Sequence, residues 1–130
     1  MPSLRFFRSF FVVCAAAFAA ACGWAAEVPF NQAAFDAALA QGRPVIVDFA
    51  ADWCPTCKAQ KPIVQGLLGE TKRKPLTLFV ANFDTEAALK KKLGVTMQST
   101  FVVFKAGKEV GRSTGQTQKE SIAELFDKAL

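Results

Sequence analysis

The sequence predicts an α/β domain, a mixed central sheet with helices on both faces, on three observations. Two almost wholly apolar runs, Val45 to Ala51 and Leu76 to Ala81, read as strands covered on both sides. Stretches with apolar residues at helical spacing flank and separate them. Lys105 to Lys108 then forms a turn that folds Phe101 to Phe104 back on Glu109 to Arg112. Parallel central strands joined through helices and closed by an antiparallel hairpin make a mixed sheet.

Each element has its own warrant. Asn31 to Gln41 places Ala34, Phe35, Ala38 and Leu39 on one helical face, with Asn31 able to cap its start and Gly42 to end it. Pro44 precedes the first apolar strand, in which Asp48 is the one charged residue. From Cys54 the spacing becomes helical through Ile63, Val64, Leu67 and Leu68; Pro62 removes a backbone donor and should kink the helix, and Gly69 can stop it. The polar segment Lys72 to Pro75 leads into the second apolar strand, which ends at Asn82 to Asp84. Asp84 or Thr85 can cap a helix carrying Ala87, Ala88 and Leu93, with Gly94 at its end. Thr117 and Glu120 read as a capping box for a last helix that aligns Ile122, Leu125, Phe126 and Ala129.

The 130 residues suffice for one domain. The formal charge is +5, but without Arg5 and Arg8 the count is 14 basic against 11 acidic residues, which gives no reason to expect a nucleic-acid partner. Those two arginines, the apolar stretch from Phe10 and the small residues up to Ala26 have the layout of a secretory signal peptide over residues 1–26, leaving a domain at 27–130. Gly23 and Ala25 suit a cut after Ala25. A second reading is a lipoprotein signal, in which Cys22 after Ala19, Ala20 and Ala21 would be lipidated. A third is an uncleaved anchor, since Phe10 to Ala26 carries no charge.

Export places the cysteines in an oxidising compartment. Cys14 and Cys22 fall in the leader, so the domain holds only Cys54 and Cys57, spaced Cys-x-x-Cys at a strand-to-helix junction. A bridge over two residues constrains the unfolded chain little, so a structural staple explains this pair poorly. A helix beginning near Cys54 favours a thiolate there and makes Cys54 the nucleophile, with Lys58 adding positive charge. Cys57, one turn later, can resolve the mixed disulfide. Structural zinc would want four Cys or His ligands, and the chain has no His. Asp48 is an acid in a buried run; a raised pKa would suit it to take and return the proton of Cys57. Trp53 could cover the site and offer an apolar docking surface. The phenylalanines fit the core pattern, and the lysine runs 72–74 and 90–92 fit a solvated surface.

Val45 to Lys58, with Asp48, Trp53, Cys54 and Cys57, and the kink proline Pro62 resemble thioredoxin; the likeness continues through Asn82, Asp84, Gly94, Phe104, Lys105, Gly107 and Gly111 to the last helix. The resemblance implies a thioredoxin fold and dithiol–disulfide exchange through Cys54 and Cys57, with no cofactor beyond that pair. It assigns proton handling to Asp48 and substrate contact to Trp53, Pro55, Thr56 and the loop Gln98, Ser99, Thr100. Three departures stand out. The dipeptide between the cysteines, which helps set the reduction potential, is Pro55, Thr56 rather than Gly, Pro. The lysine that accompanies the buried Asp aligns with Val80. The family's cis-proline aligns with Ser99, and because a cis bond before a non-proline costs about 2.5–4 kcal/mol, the loop is expected to be trans and differently shaped.

The resulting expectation is a monomeric, periplasmic thiol–disulfide oxidoreductase of a Gram-negative-type bacterium, acting on protein thiols and disulfides and leaning to reduction. By resemblance, its electrons would come from a membrane thiol transporter and go to cytochrome c maturation or reductase recycling. The rival is a non-catalytic module that holds copper or another soft metal with the same two thiols.

Overall fold

The computed structural model describes residues 25–130. Residues 1–24, with Arg5, Arg8, Cys14 and Cys22, lie outside the described residues, and so does the reading of the leader as signal, lipid anchor or span; its last residue, Ala26, is the first of a strand.

The chain order is β1 (Ala26–Pro29), α1 (Gln32–Ala40), β2 (Val45–Ala50), α2 (Pro55–Leu68), a 3₁₀ turn (Thr71–Arg73), β3 (Thr77–Asn82), α3 (Ala87–Leu93), β4 (Thr100–Lys105), β5 (Lys108–Thr114) and α4 (Lys119–Asp127). The strands form one sheet in the order β1-β3-β2-β4-β5. β1 and β2 both run parallel to β3, β4 is antiparallel to β2, and β5 closes the hairpin. The predicted mixed sheet is therefore the observed one, with β1 added at an edge. None of the described helices is long and apolar enough to cross a membrane.

The period of two along β2 divides its side chains between two cores. Val45, Val47 and Phe49 join Phe35 and Ala38 of α1, Leu89 of α3, and Phe79, Val102 and Phe104 on one face. There Phe35 meets Phe79 and Phe104 edge-on, with ring centroids 5.9 and 5.5 Å away. Ile46 turns to the other face with Val64 and Leu67 of α2 and Ile122 and Phe126 of α4. Asp48, two residues on, shares the α2 side, which is how a carboxyl comes to lie behind the cysteine helix.

The ends of the helices are where the expectations need correcting. Asn31 caps α1 as expected, its side chain accepting from the Ala34 N–H at 2.9 Å, and Gly94 ends α3 in the left-handed conformation. Neither Asp84 nor Thr85 caps α3, however: the cap position is Glu86, without a side-chain bond, and Asn82 instead accepts from the Asp84 N–H at 2.9 Å. The capping box at Thr117 and Glu120 does not form either. α4 starts after Gln118, and the Gln116 side-chain oxygen accepts from the N–H groups of Thr117 and Gln118 at 3.0 Å each. One local acceptor serving two donors replaces the reciprocal box.

Candidate functional site

α2 begins immediately after Cys54, and Cys54 itself is the N-cap, with φ −85° and ψ 112°. Its sulfur accepts from the Cys57 N–H at 3.1 Å, and Pro55 occupies the first helical position, where a missing N–H costs nothing. A sulfur placed where orphan helix donors and the positive dipole end converge is favoured as the anion. Burial opposes that charge, but hydrogen bonds from Cys57, Ser99 and the backbone together pull the Cys54 thiol below its ordinary value. Burial, reinforced by the bond to Cys54, pushes the Cys57 thiol up. Both cysteines are free thiols and well covered, 1% and 8% exposed, in a small cluster with Ala50, Ala51 and Phe83.

Asp48 lies beside Val80 in the β2–β3 register. Burial, with Glu27 adding, pushes its carboxyl up to about 7, and Oδ1 is buried without a hydrogen-bond partner. A cleft of about 340 Å³ reaches both Asp48 and Cys57, with Glu27, Lys58, Lys61 and Val80 also in its walls. Val80, at the position where the resemblance aligns a lysine, offers that carboxyl no charge, while Lys58 and Lys61 line the same cleft. Glu27, on the strand missed from the sequence, is a wall residue that nothing in its local pattern marked.

The residues read as substrate contacts separate on inspection. Trp53 is 56% exposed beside Cys54, and its indole N–H donates to Asp84 Oδ2 at 2.8 Å. Pro55 is exposed, Thr56 and Gln98 are half-buried, and Met97 next to Gln98 is exposed. Thr100 is buried and turned elsewhere: its hydroxyl donates to Met97 O and meets Thr114 Oγ1, both at 2.8 Å, which shapes the loop. Ser99 is buried as well. The described chain contains no cis peptide bond, and Ser99 instead takes a left-handed φ of 59° that brings its hydroxyl to 3.1 Å from Cys54 Sγ and 3.4 Å from Cys57 Sγ.

Gln60 is a residue the sequence reading passed over. Buried on α2, it donates to Ser99 O at 3.4 Å and to Gln116 O at 2.8 Å, tying the cysteine helix to the loop that faces it. A polar residue on the same face as Cys57 and Val64 was the available signal. Among the described residues no group of three or more His, Cys, Asp or Glu is placed to hold a metal ion.

A thioredoxin family model matches residues 26–128. Thioredoxin of Chlamydia trachomatis serovar D is 33% identical over 98 residues, covering 75% of this chain and 93% of its own. Thioredoxin of Chlamydia muridarum is 36% identical over 84 residues, 65% of this chain and 80% of its own. Among solved structures, Trxlp from Edwardsiella tarda superposes with a TM-score of 0.76 at 38% identity, covering 78% of this chain and 98% of that one. Oxidised thioredoxin from Plasmodium falciparum gives 0.64 at 27% identity, covering 82% and 100%. The similarity spans the whole described domain and includes the helix capped by its own thiol, so the chain belongs to the thioredoxin family and is a thiol–disulfide oxidoreductase working through Cys54 and Cys57.

Proposed function

We propose that this protein is exported to the periplasm and reduces disulfides of other proteins, with Cys54 as nucleophile, Cys57 as resolving thiol and Asp48 as the acceptor of the Cys57 proton. The observation that carries the reading is the split between the thiols. One caps the helix and is lowered, the other is raised and shares a cleft with a carboxyl that titrates near neutrality.

The chemistry follows from that split. Cys54 thiolate attacks one sulfur of a substrate disulfide; the S–S bond breaks, the other substrate sulfur leaves as thiolate, and a mixed disulfide joins Cys54 to the substrate. Cys57 gives its proton to the Asp48 carboxylate and attacks Cys54 Sγ. The second substrate sulfur leaves, Cys54–Cys57 is oxidised, and two electrons have passed to the substrate. Trp53, Pro55, Thr56, Met97 and Gln98 surround the point of attack and supply the docking surface, while Ser99 is buried beneath them. The charged-then-apolar leader supports export, and a cut after Ala25 would leave β1 intact. In that compartment a membrane thiol transporter is the electron source that would return the pair to dithiol.

Trapping with Cys57→Ala is the direct test, because it leaves the mixed disulfide unresolved. Covalent adducts to exported proteins, absent from Cys54→Ser, are expected, with a potential against glutathione nearer about −270 mV than about −120 mV. A strongly oxidising potential overturns the direction. A stoichiometric soft metal lost in Cys54→Ser, with no mixed disulfides formed, overturns the reductant role in favour of metal carriage.

A further inference from the structure

Ser99 is held more firmly than a surface loop residue needs to be. Its N–H donates to Phe49 O at 2.8 Å, its carbonyl accepts from the Gly115 N–H at 2.9 Å and from Gln60 Nε2 at 3.4 Å, and its side chain is buried, 3% exposed. The left-handed φ of 59° is one that glycine adopts freely and a residue with a Cβ does not. The conformation is thus over-determined by β2, α2 and the end of β5. What it achieves is to set one hydroxyl between two sulfurs, 3.1 Å from Cys54 and 3.4 Å from Cys57.

We propose that the Ser99 hydroxyl is the anion-holding group of the redox pair: it donates to Cys54 Sγ in the dithiol state, making Cys54 a better nucleophile and leaving group and shifting the pair toward the oxidising side. A hydroxyl carries one proton and can donate to one sulfur at a time. A hydrogen bond to an anion is roughly twice as strong as one between neutral groups, and a disulfide sulfur is a weak acceptor. Ser99 therefore stabilises the thiolate state more than the disulfide. The balanced exchange is Cys54–Cys57 disulfide plus two glutathione giving Cys54 thiolate, Cys57 thiol, glutathione disulfide and one proton. Ser99 enters on the product side alone.

The groups that face this sulfur are the Cys57 thiol, the N–H groups of Thr56 and Cys57, and Ser99, while Asp48 acts from the cleft behind Cys57, whose charged walls are Glu27, Asp52, Lys58 and Lys61. Cys57 and Asp48 titrate, and Ser99 does not. Its contribution is therefore present where Cys54 is the thiolate and fades as pH falls through the Cys54 pKa, and its removal adds no second titration.

The inference rests on the reading of Cys54 as nucleophile, and the test separates the two. Ser99→Ala and Ser99→Gly are compared with wild type in three readouts: which cysteine a small alkylating agent modifies first, the pH dependence of that rate, and the equilibrium with glutathione. Ser99→Gly also removes the hydroxyl while relieving the backbone, so it remains informative if Ser99→Ala folds poorly. Both variants are expected to raise the Cys54 pKa by about one unit, which cuts the thiolate fraction below the pKa about tenfold. At a pH above the raised pKa, where Cys54 is ionised in all three proteins, both should shift the glutathione equilibrium about tenfold toward the disulfide, about 30 mV more reducing. Primary modification at Cys57 in wild type overturns the nucleophile reading. Modification at Cys54 with its pKa and equilibrium within twofold of wild type in both variants overturns the role of Ser99, even if their melting temperatures change.

Discussion

Asp48 carries opposite consequences for stability and for turnover. Its folded value of about 7 lies above the ordinary 3.8, so between those values the unfolded chain binds fewer protons than the native one. Stability must fall as pH rises from about 4 to about 7 and stay low above it. Asp48→Asn removes that term. It is expected to leave stability unchanged near pH 4 and to raise it at pH 8 by at most about 4 kcal/mol, less where water entering the cleft relieves the burial, as read from denaturant midpoints. The same variant should resolve mixed disulfides about a hundredfold more slowly at pH 7 and lose the rise in rate through neutrality that the carboxylate provides, measured by single-turnover kinetics. Asp48 was legible in the sequence because a charge inside an apolar run has few innocent explanations. Glu27 was not, since its place in the cleft arises only when β1 is docked on the sheet, and Gln60, one turn after Cys57, was marked only by being polar on a buried helical face.

At the scale of elements, long apolar strands and the spacing of α1, α2 and α4 were readable, because burial forces a period on the residues. β1 was not. Four residues at a sheet edge, mostly exposed and ending in Pro29, bury too little to impose any pattern, and only pairing with β3 makes them a strand. The caps of α3 and α4 were misplaced because several oxygens competed within a few residues of each start. β5 was expected to span Glu109 to Arg112; it runs from Lys108 to Thr114, carries a bulge opposite Val103 and Phe104, and packs against α4. There Gly111 is pressed close, and a Cβ would come within 2.9 Å of Leu125 Cδ1 and 3.2 Å of Lys128 Cδ. Gly111→Val should therefore force the Leu125 and Lys128 side chains aside and cost at most roughly 1–3 kcal/mol, seen as a lower melting temperature, with the Cys54 alkylation rate preserved.

For the molecule as a whole, the two cores lie on opposite faces of one sheet, and a charged cluster beyond the C-terminal end of α2, away from the thiols, ties that end to α4. Arg73, 1% exposed, bonds to Glu70 and, through Nε at 2.9 Å and Nη2 at 3.1 Å, to Asp127 of α4, which Lys72 also reaches at 2.9 Å. Burial opposes the charge on Asp127, but Lys72 and Arg73 outweigh it and hold the carboxyl below the usual range. A lowered folded value contributes stability that is complete above the ordinary carboxylate pKa and lost as pH falls through the lowered one. Asp127→Asn should thus cost roughly 0.5–1.5 kcal/mol at pH 7, a figure kept small by solvent screening of a carboxylate one-third exposed, and progressively less as pH falls through the lowered value, as followed by denaturation at each pH. Nothing in the composition marked Arg73 as buried, since the lysine run beside it has the look of a solvated surface and its partner is 54 residues away.

One contact at the mouth of the site has an optical consequence. Trp53 is the one tryptophan among the described residues, it adjoins Cys54, and its indole nitrogen is held by Asp84. A fluorophore fixed in orientation within one residue of a reversible sulfur–sulfur bond reports that bond's state in its emission. With Trp24 replaced by phenylalanine, the protein's own light would count its electrons, with no label attached.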